Sequence, residues 1–188
     1  MEIILASGSP RRRELRGLCC PDFRVEGSGA DERVDEVLSP EELVARLAEK
    51  KAAEVAAHFP EAVVIGSDTV VELDGEILGK PHDPDEAASM LRRLSGREHR
   101  GHTAVQILSP LGSRSLVSTA EVSFAPMTDR EIDWYVSTGE PMDKAGAYGI
   151  QGYACRYITG IRGDYYTVMG LPVQQLYCAL RDLGILTD

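Results

Sequence analysis

Apolar positions along the chain change period several times, and each change marks an element. Glu2-Ile3-Ile4-Leu5-Ala6 is a short apolar run that turns through Ser7-Gly8-Ser9-Pro10 into Arg11-Arg12-Arg13. Ser9 suits an N-cap and Pro10 the first helical position, so the segment predicts a strand followed by a helix that opens on three guanidinium groups. Phe23-Arg24-Val25-Glu26 is the next strand candidate and leads into a polar loop over 27–38 that carries Asp31, Glu32, Asp35 and Glu36. Ser39-Pro40-Glu41-Glu42 is a capping box with proline at the first helical position. Leu43, Val44, Leu47, Ala48, Val55 and Ala56 then recur with helical spacing to about His58. Glu49, Lys50 and Lys51 lie inside that helix, so at least one charged side chain there points along the boundary between the buried stripe and solvent. Ala62 to Gly66 is β-branched and continuous rather than alternating, which predicts a fully buried strand ending in Ser67-Asp68-Thr69.

Val70 to Leu73, Asp74-Gly75 and Glu76 to Leu78 have the Asp-Gly centre of a type I′ hairpin, and Gly79-Lys80-Pro81 follows. Asp83 before Pro84, with Glu86 behind it, predicts a capped helix that buries Ala87, Met90, Leu91 and Leu94 and stops near Gly96. Two strands, around 102–108 and 116–124, flank a turn at Ser109 to Gly112 and are expected to pair antiparallel. Thr128 and Glu131 frame another capping box, a glycine-rich stretch runs from Gly146 to Gly163, and Tyr165-Tyr166-Thr167-Val168 reads as a strand. A last helix starts at Pro172. Buried parallel-type strands, hairpins and helices together predict an α/β fold: a single domain over 1–188 with a bent mixed β-sheet flanked by helices.

Composition narrows the class. The 188 residues are 43% hydrophobic, enough for one sizeable core, and no apolar run approaches the roughly 18 residues a membrane span needs. No N-terminal stretch has a signal-peptide pattern, so the expectation is a cytoplasmic protein without a membrane partner. The four cysteines, Cys19, Cys20, Cys155 and Cys178, form no Cys-x-x-Cys or zinc-finger spacing and read as reduced thiols. A formal net charge of −10 argues against a nucleic-acid polymer as partner, which would need a basic face. Against that background Arg11-Arg12-Arg13 at a helix N-terminus is a local anion trap, although a capped surface helix whose arginines meet only water and carboxylates has the same pattern.

Four segments carry the chemistry: Ser7-Gly8-Ser9-Pro10-Arg11-Arg12, Ser67-Asp68-Thr69, Gly79-Lys80-Pro81, and Asp143-Lys144-Ala145-Gly146-Ala147-Tyr148-Gly149-Ile150-Gln151-Gly152. Each alone is common. Together, and over essentially the whole chain, they resemble the Maf family of nucleoside triphosphate pyrophosphatases, with the last segment similar to the branch associated with dTTP and UTP rather than the one that handles 7-methyl-GTP. The resemblance implies a Maf/ITPase-like fold and a homodimer. It also implies metal-dependent cleavage of a nucleoside triphosphate between the α and β phosphates, giving a monophosphate and pyrophosphate. A nucleotide-binding role in restraining septum formation is the alternative associated with the same family.

The residues suit that reaction on chemical grounds. About four substrate charges must be partly neutralised while water attacks in line, and Arg11, Arg12, Lys50 and Lys80 are the cations available for it, with Ser9 and the helix N-terminus as neutral donors. Asp68, expected at the end of a buried strand where open α/β sheets bind ligands, is the candidate catalytic base; a turn residue bonded to the backbone is its simpler reading. Glu32 is the candidate second carboxylate, with Asp68, for a divalent cation such as Mg²⁺ or Mn²⁺, and otherwise one more solvated acid. Gln151 offers an amide that matches the N3–H and O4 edge of uracil or thymine, but flipped it would match cytosine, and a loop amide satisfying backbone groups explains it equally. The resemblance adds Arg12 and Thr69 to the specificity set. His99 and His102 are set aside, since a strand would turn them apart.

Overall fold

A computed structural model describes residues 1–186. Seven strands and six α-helices follow in the order β1 (Ile3–Ala6), α1 (Pro10–Cys19), β2 (Arg24–Glu26), α2 (Pro40–Ala56), β3 (Val63–Leu73), β4 (Glu76–Leu78), α3 (Pro84–Leu94), β5 (Glu98–Ser109), β6 (Gly112–Phe124), α4 (Asp129–Ser137), β7 (Ile158–Arg162), α5 (Tyr165–Met169) and α6 (Val173–Asp182). The strands form one mixed sheet ordered β2-β1-β3-β5-β6-β7, with β4 paired to β3. The chain divides into two compact units. The first holds Met1–Asp68, Thr103–Ser118 and the chain from Gly170; the second holds Thr69–His102 and Thr119–Met169.

In the first unit, β1 pairs parallel with β2 on one side and with β3 on the other, with Ile3 to Ala6 set against Val63 to Gly66. Parallel neighbours need crossovers, and α1 and α2 supply them. Strand order 2-1-3 means that the chain leaves β1 toward one side and later returns to the other. The carboxyl ends of β1 and β3 therefore form a topological switch point, where open sheets leave a crevice. One face of these strands packs Ile4, Ala6 and Val64 against Ala52 and Val55 of α2. Gly66 is on that face, and a Cβ there would collide with the Ala48 carbonyl oxygen and come within 2.7 Å of the Ala52 nitrogen. Glycine thus lets the α2 backbone lie directly on β3.

In the second unit Asp74 and Gly75 both have positive φ, 54° and 83°, and join β3 to antiparallel β4 as the Asp-Gly pair predicts. Asp83 caps α3 by accepting from the Glu86 nitrogen at 2.8 Å. The Thr128 and Ser39 capping boxes are likewise formed. Phe124, His99 and Tyr148 meet edge to face with centroids 4.9–5.3 Å apart.

Two expectations change. Strand β3 does not end at Ser67-Asp68-Thr69 but continues to Leu73, because nothing in that triplet turns the chain and the Asp-Gly hairpin is the first break available. Tyr165 to Val168 is helical rather than a strand: Asp164 accepts from the nitrogens of Tyr166 and Thr167 at 3.3 and 2.8 Å, a helix-starting arrangement that overrides the β-favouring side chains. The last strand lies earlier, within the glycine-rich stretch from Gly146 to Gly163, where β7 pairs antiparallel with β6.

Candidate active site

Alternation along β3 sends Val64, Gly66 and Asp68 to the α2 face and Ser67 to the other. Asp68 thus emerges two residues beyond the last β1–β3 pair, next to the helix that Gly66 admits. Its carboxylate is buried and accepts from the Lys51 ammonium, Nζ to Oδ1, at 2.5 Å. Lys51 also meets Glu32 Oε1 at 2.9 Å. Two carboxylates from distant segments therefore share one ammonium group.

Lys50 takes a different place from the one expected of a phosphate ligand. Its Nζ donates to the carbonyl oxygens of Asp31 and Arg33, at 3.2 and 2.7 Å, gripping the acidic loop on both sides of Glu32. Glu54, one turn on, accepts from the Gly29 nitrogen at 3.3 Å. Successive turns of α2 thus hold the loop that presents Glu32. Lys51 was the residue missed, and helical spacing contains the signal for it: it stands four residues from both Leu47 and Val55, which are buried, so it is a charge inside the apolar stripe. Its side chain is only 14% exposed.

The first motif lies within electrostatic reach of this group. Ser9 caps α1, its hydroxyl accepting from the Arg12 nitrogen, and Pro10 occupies the first turn as expected. Arg12 Nε donates to the Gly170 carbonyl at 2.8 Å and Nη1 to Ser7 Oγ at 3.4 Å. Ser67 Oγ donates to the same carbonyl at 3.2 Å. Burial lowers the pKa of the Arg12 guanidinium, Asp68 opposes that shift, Arg11 adds to it, and Glu32 again opposes it. Arg11, Arg12, Glu32 and Asp68 therefore act on one electrostatic locus. A cleft of about 520 Å³ opens at the α1 N-terminus between Ser7, Ser9 and Arg13 and reaches Phe23 and Val25; Asp68 does not line it.

Thr69, Lys80 and Gln151 belong to the second unit. Thr69 follows Asp68 on β3 and so projects from the opposite face. Lys80 is exposed, and the neighbouring Gly79 carbonyl accepts from the Gly146 nitrogen at 3.0 Å, tying the Gly-Lys-Pro segment to the start of the long motif. Gln151 is exposed directly after five buried residues, Gly146 to Ile150. His99 and His102 have separate partners, Tyr148 Oη at 2.7 Å for the first and Thr119 Oγ1 at 2.9 Å for the second. His82 bonds Glu86 within α3 and its cap. Cys19 and Cys20 end α1, and burial raises the Cys19 thiol, the reverse of what a nucleophile needs.

The two carboxylates fit a small divalent cation. Mg²⁺ and Mn²⁺ take hard oxygen donors, and a substrate-binding site typically supplies only one or two carboxylates and leaves other positions to phosphate and water. No cluster of three His, Cys, Asp or Glu side chains placed to hold a metal occurs among the described residues. No helix among them is long and apolar enough to cross a membrane.

A family model described as Maf-like protein matches residues 2–183. Proteins named dTTP/UTP pyrophosphatase are 51% identical in Bacillus velezensis, over 97% of both chains, and 49% identical in Geobacillus sp., over 97% of this chain and 98% of that one. A third, from Symbiobacterium thermophilum, is 50% identical over 97% of this chain and 94% of its own. Among solved structures, the Ham1 protein of Staphylococcus aureus aligns with a TM-score of 0.54 at 16% identity, covering 97% of this chain and 99% of that one. A HAM1 protein from Coxiella burnetii gives 0.51 at 14%. At those identities the likeness is one of fold.

Proposed function

The chain belongs to the Maf family, and from that premise we propose that it hydrolyses dTTP and UTP to the nucleoside monophosphate and pyrophosphate. The observation that carries the reading is the Asp68–Lys51–Glu32 group at the switch point beside Arg12. Water attacks the α phosphorus, the bond from that phosphorus to the α–β bridging oxygen breaks, and pyrophosphate leaves. Asp68 orients the water and takes its proton through Oδ2, while Lys51 holds Oδ1 and so fixes the carboxylate plane. Arg12, anchored through Nε and Nη1, brings fixed positive charge to the phosphates without reorganising. Ser9 and the N-terminus of α1 add neutral donors, and Arg11 and Lys80 further cations.

Asp68 and Glu32 would hold the divalent cation, Mg²⁺ or Mn²⁺. Such an ion supplies charge neutralisation and lowers the pKa of a bound water. Lys50 contributes by keeping the Glu32 loop in place. Thr69, Arg12 and Gln151 make up the specificity set, Gln151 reading the pyrimidine edge with its amide. A homodimer and a cytoplasmic setting complete the proposal.

The test is product analysis. Purified protein with Mg²⁺ or Mn²⁺ should convert UTP and dTTP to UMP or dTMP plus pyrophosphate, followed by phosphorus NMR. Release of orthophosphate alone, or no turnover across a nucleotide panel, would overturn the reading.

A further inference from the structure

Gln151 occupies the third position of a four-residue turn closed by the Gly152 nitrogen on the Gly149 carbonyl at 3.1 Å. An exposed turn of this kind has no rigidity of its own, yet a side chain that distinguishes bases must keep one position and one orientation. Both ends of the turn are held by a single pair of buried or half-buried groups. On the near side the Gly149 nitrogen donates to Tyr135 Oη at 3.2 Å. Tyr135 in turn donates its hydroxyl proton to Glu140 Oε1 at 2.7 Å. On the far side the Tyr153 nitrogen donates to Glu140 Oε2 at 3.0 Å.

These three bonds form a closed circuit from one flank of the turn to the other. It uses both oxygens of one carboxylate, together with the donor and the acceptor capacity of one phenol. Tyr135 is wholly buried on α4, so the anchor is part of the packed core. Glu140 is itself fixed, its nitrogen donating to Thr138 Oγ1 at 3.2 Å and its carbonyl accepting from Lys144 Nζ at 2.7 Å. The glycines flanking the turn record the same closeness. A Cβ on Gly152 would collide with the Glu140 carboxylate, and one on Gly149 would come within 2.6 Å of Lys144 Cε.

We infer that Glu140 and Tyr135 are positioning residues for base selection, a clamp that sets where Gln151 presents its amide. The inference rests on the proposed reading of Gln151 and extends it to two residues that need not touch substrate. Tyr135→Phe keeps the ring and removes both bonds of the phenol. Glu140→Gln leaves an acceptor for only one of its two donors.

Steady-state kinetics on UTP and GTP, with pyrophosphate as inhibitor, test it alongside Gln151→Ala. In both clamp variants the UTP-over-GTP ratio of kcat/KM should fall by about tenfold, through the KM for UTP more than through kcat, as it should in Gln151→Ala. The pyrophosphate inhibition constant should stay within about twofold of the parent, which general damage to the fold would not allow. Amide exchange at Gly149 and Tyr153 should quicken in both variants. If Gln151→Ala shifts the ratio and neither clamp variant does, the clamp is overturned and the Gln151 reading stands. If Gln151→Ala leaves the ratio unchanged, the base reading falls and the clamp's role in selection falls with it.

Discussion

Asp68 and Lys51, 2.5 Å apart and both largely shielded from water, tie the proposed catalytic base into a buried ion pair. Asp68→Asn preserves shape but cannot take a proton, so kcat should drop by about 10² to 10⁴ while nucleotide binding, followed by calorimetry, remains measurable. Lys51→Met strands the Asp68 carboxylate without its cation and should cost about 3 kcal/mol in urea unfolding as well as activity. His99 supplies the pH dependence of a different region. Burial pushes its imidazole down from 6.5 to about 4. The unfolded chain therefore binds a proton near pH 6.5 that the folded protein refuses until about pH 4. Stability is complete above the higher value and falls as pH drops between the two, by up to about 1.4 kcal/mol per unit. Urea midpoints at pH 7.5 and 5 should show this slope in the parent and a shallower one in His99→Gln. At this scale Asp68 and Arg12 stand in motif segments and Glu32 is marked by residue type alone, and the structure brings Asp68 and Glu32 onto one ammonium group. Lys51 carries no motif, yet its four-residue spacing from Leu47 and Val55 marks it as the lysine on the buried face, whereas its pairing with Asp68 and Glu32 does not follow from spacing.

Elements differ in how local their causes are. The caps at Ser39, Asp83 and Thr128 and the hairpin at Asp74-Gly75 follow from bonds spanning two to four residues, and all formed where the sequence placed them. Ser39→Ala should cost about 1 kcal/mol, seen as a lower urea midpoint. Gly66 is another matter, since its requirement comes from a helix some fifteen residues away in sequence. Gly66→Ala should destabilise by about 3 kcal/mol, because the Ala48 and Ala52 backbone cannot give way, and it should displace Lys51 from Asp68, lowering kcat as well. The length of β3 and the helical α5 escaped a sequence reading for related reasons. A polar triplet does not stop a strand whose neighbours continue to bond it, and a carboxylate at Asp164 outweighs two tyrosines and a valine in deciding between helix and strand.

For the whole molecule, a net charge of −10 sets the long-range field against a polyanionic substrate, so binding depends on the few cations that the fold gathers. A nonhydrolysable UTP analogue at about 100 times its Kd should stabilise the protein by about 2.7 kcal/mol, read as a rise in Tm. Arg12→Ala should lose most of that rise at the same concentration. The fold class, the caps, the hairpin, the absence of a long apolar span and the motif set that marks the family were decided by the chain itself, since each depends on composition or on neighbours a few residues apart. The strand order that makes a crevice beside β1, the pairing of Lys51 with Asp68 and Glu32, and the Tyr135–Glu140 circuit around Gln151 were decided only by tertiary structure. Each is a matter of which faces meet, and that is set by packing between segments whose separation along the chain says nothing about their distance in space.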